Sequence, residues 1–307
     1  MTSNAIIATV LALCAALASA IGDVIRQRSA QEITDKDQVG HLELFRMCLR
    51  DIRWWTGGAA AVANYSLQAL ALAVGSVMLV TGLQVTALLF ALPIYAYLTK
   101  HPVSRGEWLW AAVLAGALAV VVIVGDPTEG THNAPTPVWI IAGAVLISAL
   151  VACVLAARIF AGRPAAAVLL AVVAGTSLAV FAVLTKVLVD LLKADGFGAV
   201  LTAPELPFWL VATLAGMIFQ QSAFRAGALT ASMPTITVAK PLVATMLSVL
   251  LLNETINAGG AEDVVVAVGV VLIIVATTAL ARGEAATMAA KAGGRDTVQP
   301  AVSPATG

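Results

Sequence analysis

Nine stretches of mainly apolar residues divide this chain, and they leave a lipid bilayer as the only solvent in which it can fold. They run near Ala5–Ile25, Trp54–Val74, Val77–Leu98, Trp108–Gly125 and Val138–Ala157, then near Ala165–Val189, Phe208–Ala226, Ala231–Leu252 and Val264–Ala281. A bilayer core about 30 Å thick takes about 20 such residues per helix. Within each stretch the apolar residues are continuous and do not alternate, so an outer-membrane β-barrel is a poor fit. Of the 307 residues, 60% are hydrophobic and 11% charged. A soluble domain carries about 25% charged residues, and a disordered chain is poor in hydrophobic ones. Both classes are excluded.

Seventeen basic and 17 acidic residues give a net charge of zero, so there is no basic field to hold nucleic acid. The distribution of the basic residues is more informative than their sum. Placing the connection after the first segment inside puts Arg26, Arg28, Lys36, Arg46, Arg50 and Arg53 there, together with Lys100, Arg105, Arg158, Arg163, Arg225, Arg282, Lys291 and Arg295. Lys193 falls outside, and Lys186 and Lys240 fall within segments. The positive-inside rule then predicts an N-terminus outside and a C-terminus in the cytoplasm, in the plasma (inner) membrane. Ala18-Ser19-Ala20 resembles a signal-peptide cleavage site, but no basic residue precedes it, so the first segment is read as a retained helix.

All six tryptophans, at 54, 55, 108, 110, 139 and 209, sit at segment ends, as interfacial anchors do. Within 27–53, Leu42, Phe45, Leu49 and Ile52 share one helical face and Arg46, Arg50 and Arg53 another, the pattern of a helix lying in the interface. From 283 to 307 the chain is rich in Ala, Gly, Thr and Pro, and it reads as a disordered cytoplasmic tail. Cys14, Cys48 and Cys153 have no metal-ligand spacing, and His41, His101 and His132 lie in loops. No catalytic motif and no cofactor site is recognisable.

The two ends of the chain resemble each other. Two short turns, Ala73-Val74-Gly75-Ser76 and Gly227-Ala228-Leu229-Thr230, each separate a Trp- or Phe-led segment from the next, and corresponding features recur about 154–156 residues apart with no single register throughout. The first segment runs outside to inside and the sixth inside to outside, so the repeat is inverted. Inverted repeats are characteristic of secondary transporters, which bind substrate near the midplane where the repeats meet. The expected architecture is an all-α polytopic membrane protein of nine transmembrane helices. It has two inverted four-helix repeats, 1–130 and 165–282, joined by a linker helix within 131–164.

An ionisable group at mid-membrane costs at least about 2.5–3.5 kcal/mol and is a functional candidate by default. Lys240 lies near mid-depth of the eighth segment, beside Pro241 and after Pro234, so a broken, lysine-bearing helix is expected there. Lys186 is placed near the outer end of the sixth segment, free to reach headgroups or to pair with Asp190. Asp23 lies near the inner end of the first. Among neutral polar residues, Asn64 and Gln68 share a helical face, as do Thr81 and Gln84, and Gln220, Gln221 and Ser222 fall in the middle of the seventh segment. Lys240, Gln84, Asn64, Gln68, Gln221 and Thr81 are the candidate substrate-binding residues. Asp23, Lys186 and Glu254 are candidates for ion coupling or pairing. Tyr65 and Tyr95 read as core.

Gly22-Asp23-Val24-Ile25-Arg26 at the end of the first segment resembles the opening of drug/metabolite transporter (EamA-like) proteins. Trp54-Trp55-Thr56-Gly57, Ala63-Asn64, Lys186, Gln220-Gln221, Ser232-Met233-Pro234 and Leu252-Asn253-Glu254 resemble the NIPA-type magnesium transporter branch. Lys100 and Lys240 depart from that branch's pattern. The resemblance implies a transporter, with magnesium or another divalent cation as one substrate class and Asp23 or Glu254 as its oxygen ligands. The residues themselves favour a small polar or anionic metabolite or a lipid-linked headgroup, because a lysine near the pathway repels divalent cations. A scaffold that assembles membrane partners, or a homodimer, is the remaining class.

Overall fold

The computed structural model describes residues 3–33, 52–99, 105–125, 127–128, 130, 134–161, 164–225, 229–256 and 259–296. The centre of the expected interfacial segment, 34–51, lies outside the described residues, as do the three histidines and the end of the tail, 297–307. The side chains of Asp23, Trp54 and Tyr95 are likewise not described.

Ten helices account for nearly all of it. They are α1 (Ser3–Ile33), α2 (Ile52–Val74), α3 (Val77–Gln84), α4 (Ala87–Thr99), α5 (Arg105–Gly125), α6 (Thr136–Ile159), α7 (Pro164–Thr202), α8 (Glu205–Arg225), α9 (Leu229–Leu252) and α10 (Ala261–Asp296). Eight of them are long and apolar enough to cross a bilayer, and Val77–Ala91 forms a shorter apolar helical run. Large side chains such as Ile140, Val145, Val151, Val211, Met246 and Val268 are exposed. Lipid, not water, suits such a surface, and the protein is an integral membrane protein.

Packing follows side-chain size. Ala8, Ala12, Ala15, Ala16 and Ala20 form a fully buried stripe on α1, and α1 lies along α2. In lipid, association gains from small residues that let backbones approach. A Cβ on Gly175 of α7 would lie 2.9 Å from Ala239 Cβ and 3.3 Å from Lys240 N of α9, so the absence of a side chain there brings α9 against α7. Helix α7 is buried along most of its apolar length, whereas α6 is almost wholly exposed and packs on α7 from outside. Helices α1 and α2, α7 and α8, α7 and α9, and α5 and α10 are the main pairs.

Four sequence expectations are corrected here. The expected third helix is divided at Val85–Thr86, whereas the expected break in the eighth is absent: α9 is helical throughout Leu229–Leu252 despite Pro234 and Pro241. At the division, Val85 N–H donates to Gly82 O (3.1 Å) and Thr86 N–H to Leu83 O (3.0 Å), and Thr86 Oγ1 also donates to Leu83 O (2.6 Å). These i→i−3 bonds tighten the turn in the 3₁₀ manner that marks hinges. Helix α7 continues past Val189 to Thr202, with one non-helical residue at Gly196 (φ 79°). Lys193 is therefore helical, and Lys186 does not lie at a helix end. It is 2% exposed, not reaching for headgroups. Finally, α10 runs on to Asp296, so 283–296 is helix where the composition suggested disorder.

One end of the bundle is closed by short connections. Pro127–Thr128 pairs antiparallel with Thr255–Ile256, and Thr128 Oγ1 lies 2.9 Å from Thr255 Oγ1. Lys193 Nζ donates to Ala73 O. Gly130 lies directly on the backbone of Leu252–Glu254, with no room for a Cβ.

Candidate functional site

Two polar groupings are built into this apolar bundle. The first is central. Asn64 and Gln68, one turn apart on α2, face Gln84, the last residue of α3 before the division. Gln84 Nε2 donates to Gln68 Oε1 at 2.8 Å and, more weakly, to Asn64 Oδ1 at 3.4 Å. Lys240, at the middle of α9, donates from Nζ to Gln84 Oε1 at 2.5 Å. All three amides are buried, Gln68 completely. Gln84 lies roughly 11 Å along the axis from the start of α3 at 1.5 Å per residue, well inside the hydrocarbon layer. Four of the six candidate substrate residues thus form one hydrogen-bonded cluster.

The other two do not join it. Thr81 is buried one turn before Gln84, but its hydroxyl donates to Val77 O (2.7 Å). Gln221 is buried on α8 and makes no hydrogen bond to the four. Tyr65 packs edge-on against Phe181 (5.1 Å between ring centroids), as a core residue does. Phe181 in turn lies 5.5 Å from Trp209, whose Nε1 donates to Thr185 Oγ1 (2.8 Å).

The second grouping lies at the closed end. The first turn of a helix leaves its amide N–H groups without intrahelical partners, and here each finds one. Val77 N–H donates to Glu254 Oε1 (2.5 Å), Met78 N–H to Glu254 Oε2 (2.8 Å) and Leu79 N–H to Ser76 Oγ (3.1 Å). A carboxylate also suits the positive end of a helix dipole. Local backbone geometry aims Glu254 there. Asn253 adopts φ 51°, the left-handed conformation that ends helices and that asparagine tolerates, and Glu254 N–H folds back to Ser248 O (3.2 Å). Lys186 Nζ lies 3.5 Å from Asp190 Oδ1, and its charge also acts on Glu254. Glu254 stands two residues beyond the apolar span that ends at Leu252. Burial pushes its carboxyl above the usual value, against the opposing pull of the Met78 and Val77 amides, Ser248 and Lys186.

The structure therefore brings Lys186 and Glu254 together. Asp23 belongs elsewhere. Ala8 of α1 meets Gly75 at the closed end, while Gly22 meets Gly57 and Ala60 roughly 21 Å further along α1. Among the described residues, no group of three His, Cys, Asp or Glu side chains could hold a metal ion.

The sequence reading passes over Ser76 and Thr277. The signal for Ser76 is its place before an apolar run, an N-cap position. Thr277 Oγ1 is buried without a hydrogen-bond partner, beside a mainly apolar cavity of about 210 Å³ bounded by α3, α5, α9 and α10. That cavity lies across α3 and α9 from Gln84 and Lys240, neither of which lines it.

No family model matches the chain, and no solved structure matches it. It is similar along almost its whole length to the uncharacterized protein Cgl0250/cg0304 of Corynebacterium glutamicum. The two are 32% identical over 282 residues, which span 92% of this chain and 96% of that protein. At that identity and coverage, the chain belongs to the same protein family as its corynebacterial relative.

Proposed function

We propose that the protein is a secondary transporter of the drug/metabolite type, carrying a small polar or anionic metabolite by alternating access at the Asn64–Gln68–Gln84–Lys240 cluster. The observation that carries this reading is the Lys240–Gln84 hydrogen bond. These residues are 156 apart in the chain, at the upper edge of the 154–156 residues that separate corresponding features of the two halves, whose turns and leading aromatic residues recur at 154. Equivalent positions of a two-fold repeat touch each other on its axis, and substrate sites of inverted-repeat transporters lie there, beside interrupted helices. Gln84 ends one such half-helix.

The packing supports the same correspondence. Helix α1 lies along α2 as α7 lies along α8, α1 touches α3 and α4 as α7 touches α9, and α5 packs on α10. Helix α6 stands outside as the linker. The connections meeting at the closed end are those that the charge distribution assigns to the outside. That agrees with an N-terminus outside and a cytoplasmic C-terminus in the plasma membrane. Glu254 of the second half holds α3 of the first, so this contact is the outer gate, and Lys186, Asp190 and Glu254 are its titratable groups. Asp23 remains the candidate coupling residue of the inner end.

The test is comparative metabolite profiling of cells with and without the gene, followed by flux of whatever changes into proteoliposomes. Lys240→Met should abolish that flux while the protein still folds. Unaltered flux in Lys240→Met, or no flux of any metabolite that changes, refutes the proposal. Co-purification of a stable complex without flux would favour a scaffold instead.

A further inference from the structure

We infer that the central cluster is polarised to receive an oxyanion, a carboxylate or a group of like chemistry, and to reject cations. The inference rests on the reading of that cluster as the substrate site and adds the sign of what it binds.

A lysine ammonium has three donors and no acceptor. Its contact with Gln84 therefore requires the amide oxygen, and Lys240 Nζ is 2.5 Å from Oε1. That choice leaves Gln84 Nε2 facing α2. There it can meet only oxygens, and it does: Oε1 of Gln68 and Oδ1 of Asn64. Each of those amides, having turned its oxygen to Gln84, presents its NH2 group on the other side. One lysine thus orients Gln84, and Gln84 orients both amides of α2, so the network ends in donors.

At the end of that series, Gln68 Nε2 is buried without a partner, in a residue that is 0% exposed. The hydroxyls of Thr81, Ser177 and Thr185, also buried in the bundle, donate to carbonyls of their own helices. A buried donor left unmade costs roughly 1–3 kcal/mol, so one held at the end of an oriented network calls for an acceptor. A cation finds the opposite. Each of the three amide oxygens already accepts an N–H, and the ammonium adds a repelling charge. The nearby carboxylates are engaged at the closed end, Asp190 with Lys186 and Glu254 with α3.

The test uses the full chain in nanodiscs of neutral lipid. Sodium acetate and sodium methanesulfonate are compared with methylammonium chloride and magnesium chloride, against sodium chloride at equal ionic strength. The readout is the thermal unfolding midpoint, which rises with any ligand that binds the folded state. The expected result is a saturable rise with at least one of the two oxyanions and none with either cation. Gln68→Leu should weaken oxyanion binding about tenfold, as loss of one donor implies. Gln68→Glu, of the same shape but with an acceptor in place of the donor, should abolish it. Saturable stabilisation by either cation, no effect of both oxyanions, or an unchanged response in both Gln68 variants overturns the inference. Oxyanion binding that depends on Gln68, without flux of any metabolite, would refute the transporter and leave the sign of the site standing. Cation flux without oxyanion binding would do the reverse.

Discussion

Replacing Glu254 by glutamine should loosen the start of α3 without unfolding the bundle. The carboxylate accepts two amides, Val77 N–H at 2.5 Å and Met78 N–H at 2.8 Å, and is itself 1% exposed. Glutamine keeps one oxygen and turns an NH2 group on the other amide, so a single buried N–H loses its acceptor. That costs roughly 1–3 kcal/mol, and alanine, which strands both, about twice as much. Water cannot readily take over, because the Glu254 side chain and Val77 are both buried. The assay is amide hydrogen exchange of a peptide spanning 76–80, with the global unfolding midpoint measured in parallel. At about 1.4 kcal/mol per tenfold, Glu254→Gln should speed exchange there by roughly 5- to 150-fold. The peptide around Ser177–Thr185 on α7 should be unchanged. Protection at 76–80 within twofold of wild type would refute the reasoning, since an N–H of this first turn cannot lose a charged acceptor at no cost. Because Glu254 belongs to the second half of the chain and α3 to the first, the same result measures how firmly the two are held together at the closed end.

The pH dependence of that latch has a definite sign. Burial raises the Glu254 carboxyl above its ordinary value of 4.5, so its contribution is full below the unfolded value and is lost as pH rises through the folded one. Wild type should therefore lose stability relative to Glu254→Gln over the interval above about pH 4.5, and a gap that widens with pH instead would contradict it. Thr277→Val removes a buried hydroxyl that has no partner and should stabilise the protein by about 1–2 kcal/mol in denaturant unfolding; a loss of stability would mean that the hydroxyl is satisfied. Gly175→Val forces a side chain into the 2.9 Å approach to Ala239 and should cost about 1–3 kcal/mol, displacing Lys240 with it. If Gly175→Val matches wild type in both unfolding and transport, the helices are not in contact there.

What the sequence revealed of the site, and what it concealed, follows from how far each signal reaches. Spacing along one helix is local, so Asn64 and Gln68 on one face could be read directly. The hydrophobic stretches likewise located the membrane helices, because lipid demands them one by one. The meeting of Gln84 with Lys240 is a tertiary event, and only the repeat spacing hinted at it. The position of the helix break was misjudged because proline is the conspicuous breaker. Yet in a bundle the carbonyl that a proline frees can find another partner, and α9 stays helical through Pro234 and Pro241. The actual division rests on competition for carbonyls. Thr86 offers its hydroxyl and its amide to the same oxygen, Leu83 O, and no single residue type announces that. Of the two readings of Lys186, pairing with Asp190 holds and reach to headgroups does not. Its distance from the helix end was judged from where the apolar residues thin out, near Val189, but α7 continues to Thr202. Lys186 lies ten residues before the bend at Gly196, and its 2% exposure and pairing with Asp190 leave its ammonium inside the bundle. The two lysines left over from the charge count are thus not equivalent. Lys186 neutralises acidic groups at the closed end, whereas Lys240 orients amides at the centre, and only the second arrangement leaves a buried donor, Gln68 Nε2, without an acceptor.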